Sequence, residues 1–160
     1  MLPGTITVAT LADAKPIASM SARLVETGLP RSWTARRVEK HILRSGSVVL
    51  TSRVDGSLVG FAIMHFGDEA AHLNLLAVEP AYQRRGIGRC LVNWLEESAI
   101  TAGTFMVSLE VRADNVGALR FYRELGYQET GLIPDYYSGM CDAALLARDL
   151  SVRYIDLPSE

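Results

Sequence analysis

Residues 73–102 constrain this chain more than any other stretch. Leu73-Asn74-Leu75-Leu76-Ala77-Val78 is a short apolar run closed by Glu79-Pro80, the pattern of a strand stopped by proline. Gln83-Arg84-Arg85-Gly86-Ile87-Gly88 is a tight basic loop. From there Ile87, Leu91, Trp94, Leu95 and Ala99 recur at helical spacing, so a helix follows. Two glycines at the start of that helix let the backbone approach a ligand closely. The N–H groups of a first helical turn lack intrahelical acceptors and sit at the positive end of the helix dipole, which suits a phosphate. The chain must therefore fold so that a strand, a loop and a helix present one phosphate grip.

Two common phosphate motifs do not fit. A P-loop requires Lys-Ser or Lys-Thr after its last glycine, and Gly88 is followed by Arg89-Cys90. A dinucleotide fingerprint requires a third glycine where Leu91 stands. What remains is Gln-x-x-Gly-x-Gly after a strand ending in Ala77-Val78. That string resembles the acyl-CoA pyrophosphate loop of the GCN5-related N-acetyltransferase (GNAT) superfamily. The alternative reading is a glycine-bearing strand-to-helix turn with solvated arginines.

Composition narrows the partners. A chain of 160 residues predicts one domain, residues 1–160, able to close a single core. With 49% hydrophobic and 21% charged residues it reads as a soluble globular domain. A net charge of −2 supplies no basic field for nucleic acid. No apolar run approaches the roughly 20 residues of a membrane span, and no leader pattern opens the chain, so a cytoplasmic protein is expected. Cys90 and Cys141 read as two free, partly buried thiols, with no Cys/His spacing for a metal.

Taken in order, Thr5–Val8 predicts a first strand. Thr10 or Asp13 can cap a helix carrying Ile17, Met20, Leu24 and Val25 on one face and ended by Gly28-Leu29-Pro30. A second helix is expected from Ala35 to Arg44, with Thr34 as its cap. Residues 47–52 and 58–66 read as strands around an Asp55-Gly56 hairpin turn. The strand of residues 71–78 completes an antiparallel meander. After it, strands alternate with helices: helix 86–102, strand 105–111, helix 115–125, strand 127–133 and strand 141–149. The fold class is α/β (α+β), a mostly antiparallel mixed sheet flanked by helices, with a βαβ-type half joined to a meander half. Residues 151–160 read as a tail, frayed at Pro158-Ser159-Glu160.

A second block carries the chemistry. Ser108-Leu109-Glu110-Val111-Arg112 is a strand, and Asp114-Asn115 opens a helix with Val116, Leu119, Tyr122 and Leu125 on one side and Gly126 as its left-handed end. Leu109 and Val111 point away from the face that carries Glu110. Partial burial of that face would raise the carboxyl pKa. Locally, Asn115 is also a good N-cap, Glu110 could be a solvated strand charge, and Tyr122 could be core. The string Leu109-Glu110-Val111-Arg112-Ala113-Asp114-Asn115, with Ala118-Leu119, Phe121-Tyr122 and Leu125-Gly126-Tyr127, looks like the RimI family, the N-terminal acetyltransferases of ribosomal protein S18. Asp135-Tyr136-Tyr137 and Asp142-Ala143 resemble that family's closing segment. The resemblance covers roughly residues 45–150 and is loose over 1–44.

The resemblance implies roles. The backbone of Leu76, Ala77 and Val78 would pair with the pantetheine arm of acetyl-CoA. The loop Gln83, Arg84, Arg85, Gly86, Ile87, Gly88 and Arg89 would hold the pyrophosphate on its amides. Asn115 would bond the cofactor arm, Glu110 would act as general base through a water, and Tyr122 would protonate the departing thiolate. Tyr136 and Tyr137 would line the acceptor side, and Trp33 is either its wall or a core or lid aromatic. Independent chemistry supports these residue types. An amine must lose a proton before attacking a thioester, and a carboxylate can take it. A strand-end N–H such as that of Val78 can steady the tetrahedral intermediate, and a tyrosine hydroxyl can serve the leaving group. His41, His65 and His72 show no acid–base partner in sequence and read as structural; Arg112 is given no role. The expected partner is a protein or peptide N-terminus. The other readings are a small-molecule amine acceptor (an amino acid, a polyamine or an antibiotic) and a non-catalytic acyl-CoA-binding module.

Overall fold

The computed structural model describes residues 4–137, 139 and 141–151; most of the expected C-terminal tail lies outside them. Seven strands form one sheet in the order β1-β2-β3-β4-β5-β7-β6. They are β1 Thr5–Val8, β2 Ser47–Val54, β3 Ser57–Phe66, β4 Ala71–Val78, β5 Met106–Arg112, β6 Gln128–Tyr137 and β7 Cys141–Asp149. The helices are α1 Ala14–Leu24, α2 Ala35–Leu43, α3 Ile87–Thr101 and α4 Val116–Glu124. The described chain forms two compact units, one reaching to His65 and including Leu73–Leu95, the other Phe66–His72 with the residues from Glu96 on.

In the first unit, β1 and β2 pair antiparallel, and so do β2 and β3. The Asp55-Gly56 turn has both central residues at positive φ, 51° and 81°, as a two-residue hairpin of this twist requires. Ile17, Ala18 and Met20 of α1 meet Val38 of α2 and Val49, Phe61, Ile63, Leu75 and Ala77 of the strands in one hydrophobic cluster. Each fully buried large side chain there is worth about 1.5–3 kcal/mol. Thr34 caps α2 by accepting from Arg37 N at 3.2 Å, as expected. The helix α1 ends at Leu24, earlier than Gly28 would suggest. There the chain turns, and the buried Glu26 carboxylate collects Ser32 N–H, the Ser32 hydroxyl and Trp33 N–H at 3.1, 2.6 and 2.9 Å. This folds the 27–34 connection around one charge whose lone pairs are occupied.

In the second unit β7 pairs antiparallel with both β5 and β6. β5 and β6 are therefore parallel, joined through α4, with the later strand β7 inserted between them. The βαβ expectation holds for direction but not for adjacency. β6 also runs past Pro134, where the sequence suggested an end: an irregularity between Ile133 and Tyr137, with Asp135 at φ 52°, absorbs the proline before pairing resumes at Tyr137 and Cys141. β6 is last in the sheet order, and an edge strand tolerates the missing N–H. The end of α4 has both bonds of a Schellman motif, Tyr127 N to Tyr122 O and Gly126 N to Arg123 O, with Gly126 at φ 100°. Glu96, fully buried, accepts from the Tyr127 hydroxyl at 3.0 Å and from Arg148 at 3.1 Å. Two sequence expectations fail locally. Trp94 is 40% exposed and Val116 75% exposed, so neither belongs to the core face its periodicity suggested.

Candidate active site

The loop after β4 is held from within the first unit. Gln83 donates its side-chain amide to Val78 O at 3.0 Å, tying the loop to the strand it leaves. Glu79 N donates to Val59 O at 2.8 Å. Gly60 on β3 lies so close to this end of β4 that a Cβ there would stand 3.1 Å from Ala77 O. Arg84 and Gly86 adopt positive φ, 64° and 86°, which turns the backbone sharply into α3. The first helical bond runs from Cys90 N to Gly86 O. The amides ahead of it have no intrahelical acceptor. Gln83, Arg84, Arg85, Gly86 and Arg89 are exposed, Ile87 is buried beneath them, and Arg85 lies over the Tyr82 ring at 5.1 Å. Nothing lies within 4 Å of where a Cβ at Gly86 would be. An open backbone turn, first-turn amides without an intrahelical acceptor and flanking guanidinium groups could hold a pyrophosphate. Leu76, Ala77 and Val78 form the C-terminal end of β4 leading into this turn.

The second unit carries both candidate acid–base groups. On β5, Leu109 and Val111 are buried and Glu110 occupies the other face, half-buried, as alternation requires. Its carboxylate does not stand alone. His72 Nε2, on β4, lies 2.5 Å from Glu110 Oε2, with the two side chains 25% and 21% exposed. The sequence offered His72 no acid–base partner, and the fold supplies this one. Arg112, two positions along the same face, approaches the Cys141 sulfur at 3.3 Å and Asp114 at 3.5 Å. Tyr137 is half-buried, and its hydroxyl pKa is pushed up by burial, then by Tyr136 and Glu110, with Arg112 opposing. Tyr136, edge-on to Tyr137 at 4.9 Å, is 44% exposed. The electrostatics of Tyr137 thus reach Glu110.

Tyr122 is 7% exposed on the inner face of α4, edge-on to Phe121 and Tyr127 at 5.0 and 5.6 Å. Burial, then Tyr137, pushes its hydroxyl pKa up, so it stays protonated across the physiological range. Asn115 is the N-cap of α4, accepting from Ala118 N at 3.1 Å. Its carbonyl oxygen is thereby committed to the helix, and its amide N–H₂ is the group a ligand would meet.

Trp33 lies in the core of the first unit at 7% exposure, with Arg37 over its ring at 3.8 Å and His41 5.2 Å away. The other two histidines bond locally, His41 Nδ1 with Ser47 Oγ at 3.0 Å and His65 Nδ1 with Asn74 Oδ1 at 2.9 Å. Among the described residues no group of three or more His, Cys, Asp or Glu could hold a metal, and no helix is long and apolar enough to cross a membrane. Alternation on β4 puts His72 on the half-buried face with Asn74. Periodicity could have placed His72 there, but it could not name the neighbour across the sheet.

The chain is similar to known proteins. Residues 17–127 match the acetyltransferase (GNAT) family. The chain is 37% identical over 153 residues to N-alpha-acetyltransferase RimI of Mycobacterium tuberculosis, covering 92% of this chain and 93% of that one. It is 32% identical over 152 residues to an uncharacterized protein of Mycobacterium leprae, of which it spans 41%. The crystal structure of the ribosomal-protein-S18-alanine N-acetyltransferase from Escherichia coli superposes with a TM-score of 0.78 at 28% identity, over 91% of this chain and 93% of that one.

Proposed function

The chain belongs to the acetyltransferase (GNAT) family, and we propose that it transfers the acetyl group of acetyl-CoA to the α-amine of a protein or peptide N-terminus. One observation carries the choice of acceptor: the likeness to the N-alpha-acetyltransferase of M. tuberculosis runs through nearly the full length of both chains. In this reading residues 1–160 act as a single acetyltransferase domain, working in the cytoplasm. Acetyl-CoA supplies the activated acetyl group. The amides and arginines of residues 83–89 bind its pyrophosphate, the backbone of Leu76, Ala77 and Val78 holds its pantetheine arm, and Asn115 bonds the same arm.

Glu110 removes the proton that keeps the amine from attacking, through a bridging water. The N–H bond of the ammonium breaks and the proton ends on a carboxylate oxygen. The freed amine nitrogen then bonds to the acetyl carbon and the carbon–sulfur bond breaks; Tyr122, kept protonated by burial, gives its hydroxyl proton to the departing thiolate and regains one from solvent before the next turnover. Tyr136 and Tyr137 line the acceptor side. Trp33, 7% exposed in the core of the first unit, would meet the acceptor only through what packs above it.

The test is release of free thiol from acetyl-CoA, measured against two panels: short peptides, including ones that begin with Ala, and small amines. Turnover on peptides alone is expected. Turnover on small amines alone keeps the family chemistry and overturns the N-terminal acceptor. Binding of acetyl-CoA with no transfer to either panel overturns the enzymatic reading in favour of a binding module.

A further inference from the structure

We propose that His72 is the positioning residue of Glu110, and that the two act as one unit; the inference rests on Glu110 as the base. An ionised carboxylate only accepts hydrogen bonds, so the 2.5 Å contact places the imidazole N–H on Nε2, donating to Oε2. That bond has two effects. It fixes the rotation of the carboxylate on a strand whose side chains would otherwise swing. It also occupies Oε2, leaving Oε1 as the oxygen that takes the proton relayed from the ammonium. An N–H bond of the ammonium breaks, an O–H bond forms at Oε1, and His72 keeps its own proton throughout.

Other charged and titratable groups lie on the same face or on the neighbouring strands. Arg112, the cation on the same face of β5, bonds the Cys141 sulfur and pairs with Asp114. Tyr137 of β6 reaches Glu110 electrostatically, and Cys141 of β7 lies beside Arg112. The His72–Glu110 pair joins residues 38 apart in sequence. Both side chains are partly covered, where a charge-assisted bond keeps more of its strength than at an open surface.

A double-mutant cycle tests this. His72→Leu removes the donor, His72→Gln can keep an N–H near Oε2, and Glu110→Gln removes the base. kcat and the KM for acetyl-CoA are measured for each single variant and for His72→Leu/Glu110→Gln, with thermal unfolding run in parallel. His72→Leu should lower kcat by about 10- to 100-fold, the range seen when an orienting partner is lost, with the acetyl-CoA KM unchanged. His72→Gln should recover most of that loss. The double variant should be no slower than Glu110→Gln alone, because His72 has nothing left to position. Losses that multiply, or a His72→Leu enzyme with wild-type kcat, overturn the positioning role. Wild-type kcat in Glu110→Gln instead overturns the general-base reading itself. A non-activity readout accompanies these: the imidazole N–H resonance of His72, far downfield in the wild type, should move upfield in Glu110→Gln, and an unmoved resonance shows that the pair does not exist in solution.

Discussion

Tyr122 shows how burial and chemistry can coincide at one residue. Its ring is core by every local measure, 7% exposed between Phe121 and Tyr127. The same burial keeps its proton on. Tyr122→Phe removes only the hydroxyl, so the packing survives and any kinetic loss belongs to the proton. A fall in kcat of about 10²-fold, the lower end for general acid–base groups, is expected with the acetyl-CoA KM little changed. Wild-type turnover would make Tyr122 a packing residue alone. Sequence named Glu110 and Tyr122 because both sit inside a motif. It gave His72 no partner, because which residues face one another across a sheet is set by strand register, which alternation of apolar residues does not encode. Asn115 was legible twice over, as a cap and as a ligand group, and the structure shows the cap.

At the scale of elements, the turn from β4 into α3 was the most legible part of the chain. Its signal is local: a proline stop, two glycines and helical periodicity all lie within twenty residues or so of one another. The structure adds why the glycine at 86 matters. Its φ of 86° lies in the left-handed region, where a β-branched side chain is strained, and the space beside it is open. Gly86→Val should therefore abolish acetyl-CoA binding by calorimetry while leaving the protein folded. Normal affinity in that variant would move the pyrophosphate elsewhere. The elements read less well were those whose ends depend on tertiary partners. β6 outruns its proline because pairing with β7 resumes beyond it, and α1 stops short because the buried Glu26 carboxylate draws in the backbone of Ser32 and Trp33.

For the whole molecule, stability should depend on pH through His41. Burial, then His65, Arg37 and Arg44, lowers its pKa below the ordinary imidazole value. The unfolded chain, with a pKa near 6.5, then binds the proton first. Stability is full above about pH 6.5 and falls as the pH drops below it, since the unfolded state holds more protons there. Urea midpoints between about pH 5 and 7 should decline for the wild type and decline less for His41→Gln; equal slopes would assign the acid loss to other groups. The broad architecture was readable from sequence, down to the bounds of β7, because each element announces its own period. The order of strands was not, because nothing local says that a later strand will take a middle place. That insertion has a consequence for synthesis. Until residues 141–149 leave the ribosome, β5 and β6 have no neighbour to share, and α4 spans an empty slot. The second unit cannot assemble in step with elongation. It closes in a single late event, when β7 threads between two strands made before it and supplies hydrogen bonds to both.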